Sequence, residues 1–291
     1  MGDYVIVTES TCDLPQEVAD QLGIEVIPMS FTLGDDEYKH YLDAREISFH
    51  KFYERLANGE DASTAQINPY EYSQAFEPIL KAGKDVIYLA FTSGLSGSYS
   101  VSLLVAEELS AKYPERKIYC VDTLCPSGGE GFLVYHAAKK KAEGYSIDQL
   151  RDWTEENKLK VAHWFTLYDI NFLRRTGRVS VLAAGMASML SIKPVLHVNN
   201  EGFLDAVEKV RGRKKSLESL VKHMEKTIIE PDQQTVIICH GDYVDDAKYV
   251  EQLIRERIPA VKEIMISHIG PIIGCHTGPG VLSIFFWCKE R

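Results

Sequence analysis

Short apolar runs, polar turns and amphipathic segments alternate through the first half of the chain. Residues 4–7, 85–90 and 117–122 are rich in β-branched or other apolar side chains and predict buried strands. A polar turn follows each run, and apolar residues at helical spacing come next. This alternation predicts an α/β fold with a mainly parallel sheet flanked by helices. Ligands of such sheets bind beyond the carboxyl ends of the strands.

The other elements of this half have weaker patterns. Residues 24–33 predict a second strand. Pro15 suits the first turn of a helix, and Asp13 is its candidate N-cap. Residues 61–66 are polar, show neither helical nor alternating spacing, and predict a loop. Two further helices are predicted at 46–56 and 69–80.

The second half has a different pattern. Residues 192–198 and 203–210 are strand-like runs divided by Asn-Asn-Glu-Gly, which predicts a β-hairpin and therefore an antiparallel sheet. Residues 179–190 are almost wholly small or apolar, so they predict a helix that packs closely on the core or on a ligand chain. The remaining predictions are helices at 147–157, 214–226 and 245–255 and strands at 161–166, 235–240, 263–268 and 281–288.

Chain length and the change of pattern together predict two domains. A chain of 291 residues usually exceeds one hydrophobic core. We expect an N-terminal α/β domain at residues 1–160 with the mainly parallel sheet. A C-terminal α/β domain at residues 161–291 is expected to carry the mainly antiparallel sheet.

A turn rich in Ser and Gly follows the predicted strand at 85–90 and begins a helix. Residues 91–99 read Phe-Thr-Ser-Gly-Leu-Ser-Gly-Ser-Tyr. Its serines, Ser93 and Ser96 among them, suit the start of a helix because hydroxyl oxygens cap free N–H groups. The same N–H groups and the helix dipole attract an anion. The turn therefore predicts an anion site or, in the plainer interpretation, a well-capped turn that binds nothing.

The amino-acid composition limits which partners and which cellular compartment we expect for this protein. The formal net charge of -10 argues against nucleic acid as the main partner, and it leaves at most peripheral, transient contact with a membrane. Six scattered cysteines without a CxxC pair predict reduced thiols and a cytoplasmic protein. The first residues lack the layout of a signal peptide, and no apolar run approaches the roughly 18 residues of a membrane span.

Common catalytic and cofactor motifs are absent from the sequence. No Gly-Lys-Ser/Thr loop, no GxGxxG after the first strand and no HExxH occur, so neither a bound nucleotide cofactor nor a metal is expected. The turn at 94–98 also differs from the GxSxG elbow of hydrolases. A triad of Ser96, His276 and Asp122 remains an alternative, because His276 lies in a stretch with four glycines that could present its ring.

Four segments of the chain resemble the DegV family of bacterial fatty-acid-binding proteins, the acyl carrier subunit of fatty acid kinase. They are Thr-Glu-Ser-Thr-Cys-Asp-Leu-Pro at 8–15, Ser-Thr-Ala-Gln at 63–66, the turn at 93–99 and His-Thr-Gly-Pro-Gly at 276–280. The similarity extends to 175–180, 192–194 and 209–212. It implies one long-chain fatty acid held between the two domains with its tail buried. The loop at 269–280 would return to the cleft between them.

The resemblance also implies which residues bind the carboxylate. The family's ligands fall on Thr64, Ser96 and His276, and Ser93 is a further hydroxyl of the same turn. Ala65 stands where the family has a serine, so Ser63 is expected to share the donor role. The sequence leaves open whether Ser63 or Thr64 is the main donor. Two more departures from the family pattern are Glu9 in place of Asp and Thr92 in place of Ser.

In this family the bound acid is phosphorylated by a separate kinase subunit. The chain is therefore expected to be a carrier and not an enzyme by itself, with Arg178 at the kinase-facing rim, where its charge would offset phosphate. Two rival functions remain at this point. One is a serine hydrolase that uses Ser96 and His276, and the other is a lipid-responsive regulatory protein.

Overall fold

The computed structural model describes residues 3–179 and 191–291, and its strands form three sheets. The predicted parallel sheet is present in the first half of the chain, with strand order β2-β1-β6-β7. Its strands are β1 (Tyr4–Glu9), β2 (Ile24–Ile27), β6 (Asp85–Ala90) and β7 (Ile118–Asp122). Every residue of β6 is buried, as expected for a central strand covered on both faces.

A small antiparallel sheet lies beside the parallel one and corrects two predictions. The predicted strand at 24–33 is two strands, because Pro28 cannot donate a ladder hydrogen bond and separates β2 from β3, which spans Met29–Leu33. The predicted loop at 61–66 contains a strand that pairs with the edge of β3. The order of this sheet is β4-β3-β5. Its strands are β3 (Met29–Leu33), β4 (Asp36–His40) and β5 (Ala62–Thr64).

The second half builds a six-stranded, mainly antiparallel sheet in the order β10-β9-β8-β13-β11-β12. The predicted hairpin is confirmed as the antiparallel pair β9 and β10, and only β11 and β12 are parallel neighbours. The strands are β8 (Val161–Thr166), β9 (Ile192–Val198), β10 (Leu204–Arg211), β11 (Thr235–His240), β12 (Glu263–His268) and β13 (Leu282–Trp287).

Most predicted helices are present with shifted ends. Ser48 caps the second one, so it begins at residue 49 and not at 46. The described helices are α1 (Gln16–Leu22), α2 (Phe49–Ala57), α3 (Pro69–Lys81), α4 (Ser98–Lys112), α5 (Gly128–Ala142), α6 (Ile147–Asn157), α7 (Asn171–Arg175), α8 (Arg213–Thr227), α9 (Val244–Arg257) and α10 (Pro271–Thr277). The predicted helix at 179–190 lies outside the described residues apart from Val179.

Two predictions about loops and caps are wrong. The segment 269–280 is not a loop throughout, because Pro271 at a helix N1 position begins α10 and Gly278 ends it at positive φ. Asp13 does not cap α1. Pro15 occupies the N-cap position, and Asp13 has a buried side chain and a left-handed backbone with φ 52°.

Helix α5 is the layer that the two large sheets share. Phe132 and Leu133 are fully buried in one core together with Ile6 of β1 and Phe285 of β13. Three glycines permit this packing. A Cβ would lie 2.5 Å from Cys239 Sγ at Gly128, 2.0 Å from His163 Nε2 at Gly129 and 2.2 Å from the Cys12 carbonyl at Gly131. The parallel sheet ends at residue 122 and the six-stranded sheet begins at 161, but the domain boundary at 160 stays a prediction.

Substituting Gly131 by alanine is expected to destabilise the protein by about 1–3 kcal/mol, because the new methyl group would meet the backbone carbonyl of Cys12. Chemical denaturation of both proteins measures the change in the free energy of unfolding. The direction of this change tests the close contact, since a Gly to Ala substitution inside a helix ordinarily stabilises the protein by about 1 kcal/mol. A stabilised variant would contradict the close contact between α5 and the turn at 10–12.

Candidate functional site

A cavity of about 650 Å³ is lined by residues from both halves of the chain. This volume lies within the roughly 300–1,000 Å³ typical of small-molecule sites. One part of its lining is buried and largely apolar and includes Phe165, Leu173, Val198, Leu204, Ile272 and Phe285. The other part is polar and reaches the surface at Gln66, Ser93, Gly97, Ser100 and Arg178. The cavity therefore suits a molecule with an apolar body and a polar end.

Thr64 and His276 meet at the polar end although 212 residues separate them. Thr64 is the last residue of β5, and His276 lies in the last turn of α10. Thr64 Oγ1 is 3.0 Å from His276 Nε2, and both side chains line the cavity. The structure thus brings together two of the three residues predicted to bind a carboxylate.

Ser96, the third of these residues, lines the same cavity just before α4. Its hydroxyl accepts a hydrogen bond from the backbone N–H of Ser98 at 3.2 Å and donates to Ser98 Oγ at 3.1 Å. Thr92 donates to the carbonyl of Gly202 at 3.1 Å, so the tip of the β9–β10 hairpin holds this turn in place. The start of a 15-residue helix, whose first N–H is bonded to Ser96, therefore lies at the polar end of the cavity.

The structure separates Ser63 from Thr64. Side chains of a strand alternate between its two faces, and Ser63 is exposed, with its Oγ 2.8 Å from Thr32 Oγ1. Ser63 does not line the cavity, whereas Thr64 does. Of the two hydroxyls that the sequence left open, the geometry favours Thr64. Ser93 lines the cavity at its exposed rim.

Burial and charge keep His276 neutral. Burial, together with the nearby charge of Arg178, lowers the pKa of its imidazole to about 4. At pH 7 the ring therefore carries one N–H. Arg178 is exposed, lines the cavity and donates to the carbonyl of Thr176. This places a positive charge at the rim next to the neutral imidazole.

The alternative catalytic triad is not assembled. Asp122 Oδ1 accepts from the backbone N–H groups of Ser93 and Leu124 at 3.1 and 3.0 Å. His276 Nδ1 has no hydrogen-bond partner among the residues that the structure describes. A catalytic triad needs a carboxylate that accepts a hydrogen bond from this nitrogen, because the carboxylate orients the ring and stabilises its charged form. The same part of the chain contains no group of three or more His, Cys, Asp or Glu side chains arranged to hold a metal.

Sequence reasoning missed a buried acid pair below the cavity. Glu130 Oε1 lies 2.7 Å from Thr8 Oγ1, and Glu130 Oε2 accepts from the hydroxyl of Thr11 at 2.8 Å. The single hydroxyl proton of Thr8 can point to Glu130 or to the carbonyl of Leu89 at 2.9 Å. When it points to Leu89, a protonated Glu130 can donate to Thr8 in return. A lone Glu in the otherwise apolar start of a helix was the available signal in the sequence.

Glu9 is the second member of this pair and also lines the cavity. It accepts from the backbone N–H of Phe91 at 2.8 Å, and it is fully buried. Burial raises the pKa of both carboxyl groups, and the charge of Glu9 raises the pKa of Glu130 further. The pair therefore carries at least one proton at neutral pH.

The fold and the cavity define an α/β protein with two large sheets and an internal, largely apolar site whose exposed end is polar. The chain belongs to the DegV family. The family model described as an uncharacterised protein of the DegV family matches residues 3–289. A DegV domain-containing protein of Clostridium perfringens is 44% identical over 286 residues, which is 98% of each chain.

Solved structures of the same family are similar over the whole chain. A DegV family protein from Thermus thermophilus, described for its fatty acid binding, is 26% identical with a TM-score of 0.87, covering 99% of this chain and 100% of that one. DegV of Bacillus subtilis, described as a fatty acid binding protein, is 27% identical with a TM-score of 0.82, covering 100% of both chains. Among the described helices, none is long and apolar enough to cross a membrane.

Proposed function

We propose that the protein binds a long-chain fatty acid, with the carboxylate at the polar end of the cavity and the tail in its apolar part. The observation that carries this is the convergence of Thr64, Ser96 and His276 on one end of an otherwise largely apolar cavity. The fatty acid binding described for the Thermus thermophilus and Bacillus subtilis relatives supports the choice of ligand.

The polar end has the chemistry that a carboxylate needs. Removing a charged group from water is costly unless hydrogen-bond donors replace the water. The neutral His276 ring can donate from Nε2 to Thr64 Oγ1, which frees the Thr64 proton for a carboxylate oxygen. Ser96 can turn its hydroxyl from Ser98 to the ligand, and the start of α4 adds a favourable dipole.

The apolar part of the cavity supplies most of the affinity. Each CH₂ group that leaves water contributes about 0.8 kcal/mol. Phe165 and Phe285 come from neighbouring strands of the six-stranded sheet, and Ile272 comes from α10. The tail would thus pack between α10, which also carries His276, and the sheet of the second half. The wall predicted at 179–190 lies outside the described residues.

Substituting Ser96 or His276 by alanine is expected to weaken fatty acid binding about tenfold or more, because losing one donor to a buried charge costs about 1.5–3 kcal/mol. Isothermal titration with one long-chain acid measures the loss of affinity. Repeating it with the methyl ester of that acid shows how much of the affinity depends on the carboxylate charge. Ser63→Ala is the matched control, since Ser63 is one residue from Thr64 but outside the cavity. Equal affinity of the unmutated protein for acid and ester would contradict a carboxylate site.

We further propose that a separate kinase phosphorylates the bound acid at the rim of the cavity. The exposed rim leaves the carboxylate within reach of a partner, and Arg178 offers a positive charge there. Mass spectrometry of lipid extracted from purified protein tests the carrier function directly. A carrier should yield a stoichiometric fatty acid, whereas turnover of model esters would favour a hydrolase.

A further inference from the structure

Asp13 connects three segments of the chain at one buried point. Its Oδ1 accepts from the backbone N–H of Gly270 at 2.8 Å, and its Oδ2 lies 2.5 Å from Ser127 Oγ. Its own carbonyl accepts from the hydroxyl of Ser267 at 2.6 Å. The side chain is 3% exposed, so water does not share in these contacts. A single carboxyl group therefore joins the end of β1 to parts of the chain more than 100 residues away.

Two of these partners begin helices. Ser127 precedes α5, the helix shared by both sheets. Gly270 precedes α10, which is seven residues long and has His276 in its last turn. A short helix moves as one unit with its first residue. A shift of Gly270 would therefore also shift the imidazole of His276 relative to Thr64.

The surroundings of Asp13 favour its neutral acid form. Burial raises the pKa of its carboxyl group to about 8, although the Ser127 and Gly270 hydrogen bonds act in the opposite direction. The titratable groups that face the junction are acidic or neutral at pH 7, and they are Cys12, His40, Tyr53, Glu130 and Cys239. None of them supplies a positive charge for an ionised carboxylate.

We propose that Asp13 is a positioning residue for the fatty-acid site, whose neutral carboxyl group holds the start of α10 against α5 and thereby places His276. This inference rests on the proposed binding of a fatty acid carboxylate. In the neutral form, Asp13 Oδ2–H can donate to Ser127 Oγ while Oδ1 accepts from Gly270. Ionisation would leave a negative charge beside Glu130, and opening the junction to water would relieve that cost.

Two variants of Asp13 in the full chain distinguish the effect of a neutral side chain from that of a charged one. Asparagine at this position keeps an acceptor for Gly270 and a donor for Ser127 but never ionises. Asp13→Asn is expected to bind a long-chain fatty acid within about threefold of wild type at pH 7. Wild type is expected to lose affinity between pH 7 and 9.5, and Asp13→Asn should lack this loss. Asp13→Ala is expected to bind about tenfold more weakly, because the junction has lost both bonds.

A double-mutant cycle tests whether Asp13 acts through His276. In a His276→Ala background, Asp13→Ala should lower fatty acid affinity less than twofold further. Full additivity of the two substitutions would overturn the positioning role. So would an Asp13→Asn variant that binds as weakly as Asp13→Ala or that keeps the alkaline loss of affinity.

Thermal unfolding without ligand keeps this inference distinct from the proposed function. Asp13→Asn is expected to raise the melting temperature at pH 9 more than at pH 6, whichever molecule the cavity binds. Failure of wild type to bind any fatty acid would overturn the carboxylate site and the positioning role together. An unchanged melting temperature at both pH values would overturn the neutral junction alone, even if fatty acid binding is observed.

Discussion

Replacing Arg178 by alanine is expected to leave fatty acid retention nearly intact and to lower acyl phosphate formation about 10²- to 10³-fold. The guanidinium stands at the exposed rim and, among the residues that the structure describes, donates to the carbonyl of Thr176. The carboxylate donors proposed above do not include it. Its charge would act where negative charge develops during phosphoryl transfer, so it should affect the reaction and not the binding.

The experiment loads wild type and variant with the same fatty acid, confirms equal occupancy and follows phosphorylation by a cognate kinase with ATP. Arg174→Ala is the matched control, because Arg174 is an exposed cation of α7 that does not line the cavity. Lipid loss in Arg178→Ala would assign Arg178 to the binding site. Phosphorylation at the wild-type rate would show that its charge has no part in the transfer.

Replacing Glu130 by glutamine is expected to stabilise the folded protein at pH 7 to 8, by about 1.4 kcal/mol for each pH unit above the ordinary pKa through which folded Glu130 keeps its proton. The side-chain amide can donate to Thr8 as the protonated acid does, and its oxygen can accept from Thr11. Folded Glu130 keeps its proton above the ordinary pKa of 4.5, at which the unfolded chain releases it. The folded state then binds more protons, so stability falls as pH rises from that value.

Urea denaturation between pH 4.5 and 8 measures this effect. Wild type and Glu130→Gln should be nearly equal in stability at pH 4.5 and should diverge as the pH rises. Glu156→Gln is the control, since Glu156 is an exposed acid of α6. A gain for Glu130→Gln that is the same at every pH, or a loss at pH 8, would contradict a neutral buried acid.

Hydrophobic spacing predicted the elements whose pattern is continuous along the chain. The buried run of β6, the turn before α4 and the hairpin of β9 and β10 each contain their own signal, because the residues that decide them are adjacent in sequence. Resemblance to a known family added the carboxylate residues, and the structure brings Thr64, Ser96 and His276 to one cavity. Their role as ligands of a carboxylate stays a prediction.

Two features of the structure depend on contacts between distant segments and have no signal in the local sequence. Residues 62–64 are too polar to predict a strand, yet they pair with the edge of β3, and that register alone turns Thr64 inward and Ser63 outward. Asp13 was predicted to cap the helix next to it. Its side chain is instead buried and bonds to Ser127, which lies 114 residues further along the chain. Local periodicity predicted most of the strands and helices, since the residues that set it are adjacent in the chain. Only the tertiary structure decided which polar side chains face each other, because their partners lie on distant segments.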